Sequence, residues 1–128
     1  MPDLPPSFKD SLMLAVSDET SDLTTGTAKI TFRMPYAMKL TSVRSSVTVA
    51  PTGSTLIVDI NEGGTTILST KLSIDAGELT SDTAATPPVI SDANLSRDAE
   101  ITVDIDQIGS TVAGAGLKVM LIGTQVVP

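Results

Sequence analysis

The chain has 128 residues, with eight basic against fifteen acidic residues and a formal net charge of −7. This length fits a single domain, and the negative charge repels phosphate backbones, so we expect no nucleic-acid partner. The chain contains no cysteine and no histidine, which excludes disulfides, thiolate chemistry and a Ser-His-acid triad. The aromatic residues Phe8, Phe32 and Tyr36 are too few for a surface built on aromatic stacking.

The first eleven residues contain three prolines and are predicted to form an extended arm over residues 1–11. One interpretation is a loose chain end. The other is an arm that lies on a neighbouring subunit, with Leu4 and Phe8 as apolar anchors and Pro5 and Pro6 keeping the arm extended. On the second interpretation these four side chains are candidate contacts with another subunit or with a shell.

No targeting or membrane signal is evident in the sequence. The N-terminal residues do not combine a basic region with an apolar one, so a signal peptide is not expected. No apolar run approaches the roughly 20 residues that a membrane helix needs. We therefore expect a soluble protein without a membrane partner.

From residue 12 onward the chain is predicted to form one β domain, residues 12–128. The run AKITFRM alternates, which predicts that Ala28 shares one face with Ile30, Phe32 and Met34. The run KLTSVRSSVTVA predicts three inward valines: Val43, Val47 and Val49.

A hairpin is predicted around Gly63-Gly64, because primed turns need positive φ at their centre. Its first strand directs Leu56, Val58 and Ile60 to one face and Asp59 to the other. The returning strand is predicted to meet that apolar face with Leu68, Leu72 and Ile74.

The second half of the chain gives a weaker pattern until residue 100. VISDANLSRDAE is expected to contain one short helical turn at a corner, and EITVDIDQIG then directs Ile101, Val103 and Ile105 inward. Seven or eight short strands separated by turn residues predict an all-β, antiparallel β-sandwich, jelly-roll-like in topology.

The last strand, GLKVMLIGTQVV, is apolar on both faces. Leu117, Val119 and Leu121 occupy one face, and Met120 and Ile122 occupy much of the other. A strand of a monomeric sandwich usually leaves one face polar. Either loops or another subunit must cover this second face. We favour a subunit contact through Met120 and Ile122.

The sequence offers little catalytic chemistry. Its lysines are scattered, and its glycine runs do not stand between a strand and a helix as a phosphate loop requires. Asp104 and Asp106 share one face of a strand and Asp59 is expected nearby, which raises Ca²⁺ as an alternative. A solvated acidic face explains these residues better. We expect no enzyme, no cofactor and no metal.

The distinctive runs TFRMPYAM, APTGSTLIVDIN and DAEITVDIDQIG resemble a small β-sandwich domain of tailed-bacteriophage virion proteins. The resemblance covers residues 12–123 and carries no catalytic residue. It implies a structural protein of the virion, made in the cytoplasm of the bacterial host.

The resemblance leaves two virion roles open. A capsid decoration or cement protein would bind the outer capsid surface, with the major capsid protein and copies of itself, as a homotrimer, for partners. A tail-fibre or receptor-binding module would instead contact a glycan on the host surface. The short chain, its few aromatics and its proline-rich start favour decoration. A carbohydrate-binding or enzyme-accessory module from outside phages is a further alternative.

Overall fold

The computed structural model describes residues 7–126. Within them the chain forms eleven strands: β1 Ser7–Ala15, β2 Gly26–Arg33, β3 Met38–Ser46, β4 Leu56–Glu62, β5 Thr65–Thr66, β6 Leu68–Thr70, β7 Leu72–Ile74, β8 Val89–Ile90, β9 Asn94–Leu95, β10 Glu100–Gln107 and β11 Lys118–Val126. One 3₁₀ turn, Ser81–Thr83, precedes β8. No helix in this part of the chain is long and apolar enough to cross a membrane.

The strands form antiparallel sheets. The first sheet has the order β1-β11-β3-β9, and the second has the order β2-β10-β4-β5, with β7 also paired to β4. Strands β6 and β8 make a small third sheet. The predicted all-β, antiparallel class is confirmed.

One apolar core takes side chains from both main sheets. From the first sheet come Val43, Val119 and Leu121, and from the second come Ile60 and Ile101, each at most 3% exposed. The alternation predicted for the strand around Ile101 is confirmed, since Val103 and Ile105 are also buried while their neighbours are not. Burial of this apolar area is the main term that stabilises the fold.

The predicted hairpin is present as β4, a Gly63-Gly64 turn and β5. Both glycines have positive φ, 58° and 86°. The returning chain then leaves β4 and pairs with it again through β7, opposite Leu56, Ile57 and Val58. The predicted inward residues of this returning stretch are buried: Leu68, Leu72 and Ile74.

Three local predictions are wrong. Ala28 does not continue the alternation of β2, because the register with β10 shifts there and Ala28 takes a φ of 50°. Val49 is 43% exposed, since β3 ends at Ser46 and the chain turns outward. The helical turn lies at Ser81–Thr83 and not in the stretch before β10, where two short strands form instead.

The described part of the predicted arm, residues 7–11, lies in a strand. Residues 7–11 belong to β1, whose register with β11 runs without a break from Ser7 opposite Val126 to Ala15 opposite Lys118. The description of the chain starts within this strand, at Ser7. Leu4, Pro5 and Pro6 lie outside the described residues.

Candidate functional site

Met120 and Ile122 lie on β11, inside the first sheet, with their side chains on the side away from the core. Val119 and Leu121, which alternate with them, are at most 1% exposed, whereas Met120 and Ile122 are half-buried. The structure thus places both side chains as the alternation predicts. Their contact with a partner stays a prediction.

Neighbouring strands extend this surface, because residues directly opposite in antiparallel strands point to the same side. Met120 stands opposite Met13 on β1 and Arg44 on β3, and Ile122 stands opposite Ser11 and Ser42. We call this surface the outer face. Its residues are Lys9, Ser11, Met13, Ala15, Lys39, Ser42, Arg44, Ser46, Asn94, Lys118, Met120, Ile122 and Thr124.

The outer face has no acidic side chain, although the chain contains fifteen acidic residues. It holds four of the eight basic residues, namely Lys9, Lys39, Arg44 and Lys118. Acidic partners lie only at its rim: Glu19 bonds to Lys118, and Asp82 lies 3.8 Å from Arg44. The outer face is therefore a basic surface on an acidic protein.

Apolar side chains occupy the middle of the outer face. Met13 is 69% exposed and stands opposite Met120, with Ile122 two residues further along β11. Lys118 and Arg44 border this group on two sides. An apolar centre within a charged rim is the usual layout of a protein–protein interface. The outer face has this layout.

The second sheet has the opposite character on its outward side. Asp104 and Asp59 stand opposite each other on β10 and β4. Asp104 accepts the backbone N–H of Ala28 at 2.7 Å and the side-chain amide of Asn61 at 3.0 Å. Its carboxylate thereby holds the bulge of β2 in place and is already supplied with donors.

Asp59 is only 6% exposed, which the sequence did not predict. The chain after β5 leaves β4 at this point and covers the carboxylate, which accepts the hydroxyl of Thr66 at 2.5 Å. Lys71 lies 3.9 Å from Asp59 and bonds to Asp106, and that hydrogen bond raises the pKa of the lysine. Among residues 7–126 no group of three or more metal-ligating side chains is suitably placed for an ion.

A groove of about 520 Å³ runs beside Lys71. Six of its nine lining residues carry a hydroxyl or a side-chain amide: Thr55, Ser69, Thr70, Ser73, Thr86 and Gln107. Hydroxyls, an amide and an ammonium group are able to hydrogen-bond a polar ligand such as a sugar. The groove is a candidate small-molecule site within the part of the chain that the structure describes.

Tyr36 anchors the beginning of β1. Its hydroxyl donates a hydrogen bond to the carboxylate of Asp10, and this bond raises the pKa of Tyr36 to about 12. The same bond, with a second from the backbone N–H of Ser11, lowers the pKa of Asp10. Both shifts move the pKa values further from pH 7. A general acid or base works best with a pKa near the working pH. The bond links β1 to the turn between β2 and β3.

The structure describes three of the predicted contact residues: Phe8, Met120 and Ile122. Met120 and Ile122 share the outer face, whereas the backbone of Phe8 lies in β1 opposite Gln125 and the other three fall outside residues 7–126. The sequence analysis missed the basic character of the outer face. Its signal was present in the alternation, since Lys118 precedes Met120 by two residues, but it needs the strand order to be recognised.

The comparisons with known proteins give no relative. No family model matches the chain. No curated protein and no solved structure matches it either.

Proposed function

We propose that the protein is a non-enzymatic structural protein of a tailed-bacteriophage particle, and specifically a capsid decoration protein. It binds the outer surface of the capsid, contacts the major capsid protein and stabilises the shell. The observation that carries the proposal is the acid-free outer face with its apolar centre, on a chain whose net charge is −7. The resemblance of the sequence to phage virion domains supplies the setting.

The physical basis of the adhesion is repeated burial of a small apolar group. Burying a fully exposed methionine contributes roughly 1.5–3 kcal/mol, and Met13 still exposes 69% of its surface. One contact of this kind is weak. Many copies on one symmetric shell hold together subunits that would otherwise separate, because each copy bridges neighbours already close to one another.

Finer features of the proposal follow the resemblance. The fold would be a jelly-roll-like sandwich, the decorating species a homotrimer, and residues 1–6 an arm that clasps a neighbouring subunit. The two main sheets with a shared core are compatible with such a sandwich. Neither nucleic acid nor membrane takes part, and no cofactor is needed.

The test is the location of the protein and its dependence on the outer face. Mass spectrometry of purified heads and purified tails is expected to find the protein on heads. Met120→Lys should reduce occupancy of the heads strongly, because it places a charge in the apolar centre. Thr102→Lys is the matched control, since Thr102 is also half-buried on a strand inside its sheet but points outward from the second sheet. Equal occupancy of the two variants would contradict the proposal.

The groove beside Lys71 favours a second candidate, a receptor-binding module that contacts a host-surface glycan. Its hydroxyl-rich lining suits hydrogen bonds to a sugar. A carbohydrate-binding module unrelated to phages would use the same groove. Detection of the protein only on tails, with binding to a glycan array that Lys71→Ala abolishes, would establish this candidate in place of decoration.

A further inference from the structure

Strand β1 is an unprotected sheet edge. It forms one border of the first sheet, and within residues 7–126 no strand pairs with its other side. It is nine residues long, and its register with β11 contains no bulge. A long regular edge exposes a row of backbone N–H and C=O groups that another strand can join.

The other borders of the two main sheets have features that hinder pairing with a further strand. β2 carries the bulge at Ala28, together with charged side chains. β5, β7 and β9 are two or three residues long. Beyond β9 the border of β3 is covered by hydrogen bonds to Ala93, Ser81 and Leu79. Natural sheets use these devices against edge pairing. β1 carries charged side chains only at Lys9 and Asp10, and from Ser7 to Ala15 it lacks a bulge, a proline or a short length.

The side chains of β1 are those of a strand inside a sheet. Leu12 and Leu14 point to the core side and are only half-buried, while Met13 between them is 69% exposed on the outer face. A border strand with one wet face would carry a polar residue at position 13. Three successive apolar residues on both faces indicate that a further strand covers this edge.

The backbone geometry permits a second copy of β1 as that strand. Val16, directly after β1, donates its N–H to the carbonyl of Leu117, directly before β11, at 2.8 Å. By alternation the N–H groups of Ser11, Met13 and Ala15 therefore point to the open edge. The N–H of Ser11 bonds only to the neighbouring Asp10 carboxylate. An antiparallel copy centred on Met13 sets Ser11 opposite Ala15, and Met13 opposite Met13, with bonding groups aligned.

The charges of Lys9 and Asp10 disfavour a strand pair centred at the start of β1. Lys9 and Asp10 stand at the start of β1, so centring the pair there would place like charges opposite each other, which destabilises a strand pair. Centring on Met13 sets Lys9 opposite Ser17 and Asp10 opposite Val16 of the other copy, so no like charges stand opposite each other. The stretch Ser11–Ala15 then meets only uncharged side chains.

We propose that two copies of the chain pair through β1, antiparallel about a twofold axis at Met13, and join their four-stranded sheets into one of eight strands. The pairing is isologous, so it yields an even number of copies. It does not depend on the capsid role. A decorating trimer that also used this edge would be a hexamer.

Light scattering on the full chain tests the stoichiometry. The expected mass is twice the 13.2 kDa of one chain, or a higher even multiple. Ser11→Pro removes an N–H that points to the open edge and leaves the bonds to β11 intact, so dimerisation should weaken by about tenfold or more. Ser11→Ala keeps the N–H and should remain dimeric. A monomer or a bare trimer of the unmodified chain would overturn the proposal.

Cysteine cross-linking tests the register, and the chain has no cysteine of its own. Met13→Cys should form a disulfide-linked dimer on mild oxidation, because directly opposite residues have Cα atoms about 5.5 Å apart. Ser11→Cys should not, since its own copy lies four residues away along the strand. Thr31→Cys on the β2 border is the control. Equal cross-linking at all three positions, or none at Met13, would overturn the register even if Ser11→Pro failed to fold.

Discussion

The bond between Tyr36 and Asp10 makes a prediction that one spectroscopic titration decides. The charged carboxylate of Asp10 holds the phenolic proton and raises the pKa of Tyr36 to about 12, against about 10 for an unperturbed tyrosine. Tyr36 is the single tyrosine of the chain and there is no tryptophan, so tyrosinate absorbance near 295 nm reports this group alone. We expect the ionisation midpoint of the native protein near pH 12.

Replacing Asp10 by alanine removes the acceptor and its charge. The midpoint of Tyr36 should then fall towards 10, while circular dichroism at each pH shows whether the fold persists. Tyr36→Phe is the reciprocal change, and the pKa of Asp10, followed by NMR, should rise towards its ordinary value. A midpoint near 10 in the unmodified protein, or one that Asp10→Ala leaves unchanged, would refute the bond.

The two pKa shifts act on opposite ends of the pH range over which the fold is stable, that of Tyr36 at alkaline pH and that of Asp10 at acidic pH. The raised pKa of Tyr36 gives stability that is fully present below about pH 10, the unfolded value, and is lost as pH rises towards 12. The lowered pKa of Asp10 gives stability that is present above about pH 4 and is lost as pH falls through the folded pKa. Tyr36→Phe should therefore flatten both limbs in denaturant titrations recorded across pH.

Four further substitutions probe the fold through urea denaturation. Leu121→Ala opens a cavity in the core and should lower the free energy of unfolding by about 2–5 kcal/mol. Met13→Ala on the outer face should lower it by less than about 1 kcal/mol. Equal losses would contradict the assigned sides of the first sheet. Gly123→Ala places a Cβ 2.1 Å from the carbonyl oxygen of Lys39. It should therefore lower the free energy of unfolding by at least about 1 kcal/mol. An unchanged stability would argue against the close approach of β11 and β3. Asp104→Ala removes the acceptor of two hydrogen bonds and should cost about 1–3 kcal/mol, and a gain in stability would show that its charge, not its bonds, dominates.

Local patterns predicted the parts of the fold that local chemistry determines. Gly63-Gly64 marks a turn because the backbone needs positive φ there, and Ile101 marks a buried face because its neighbours two residues away are also apolar. The excess apolar surface at Met120 and Ile122 was visible for the same reason. Such signals extend over a few residues.

Features that depend on distant pairing were not predictable in this way. β1 pairs with β11 across more than a hundred residues, which turns part of a predicted arm into a strand. The bulge at Ala28 exists because Asp104, far along the chain, accepts its N–H. The acid-free outer face likewise arises only when β1, β11 and β3 stand side by side. The sequence therefore predicted the apolar centre of the candidate contact surface but not its basic character.

The measurement that tests the central claim most directly is the heat resistance of purified, tail-free heads from particles that lack this protein. Purified protein added in excess should bind the heads, and their melting temperature should rise as occupancy approaches saturation. Met120→Lys should bind poorly and give a small rise, while Thr102→Lys should match the unmodified protein. Heads that bind the protein at saturation yet melt at an unchanged temperature, or heads that do not bind it at all, would contradict a stabilising role on the capsid surface.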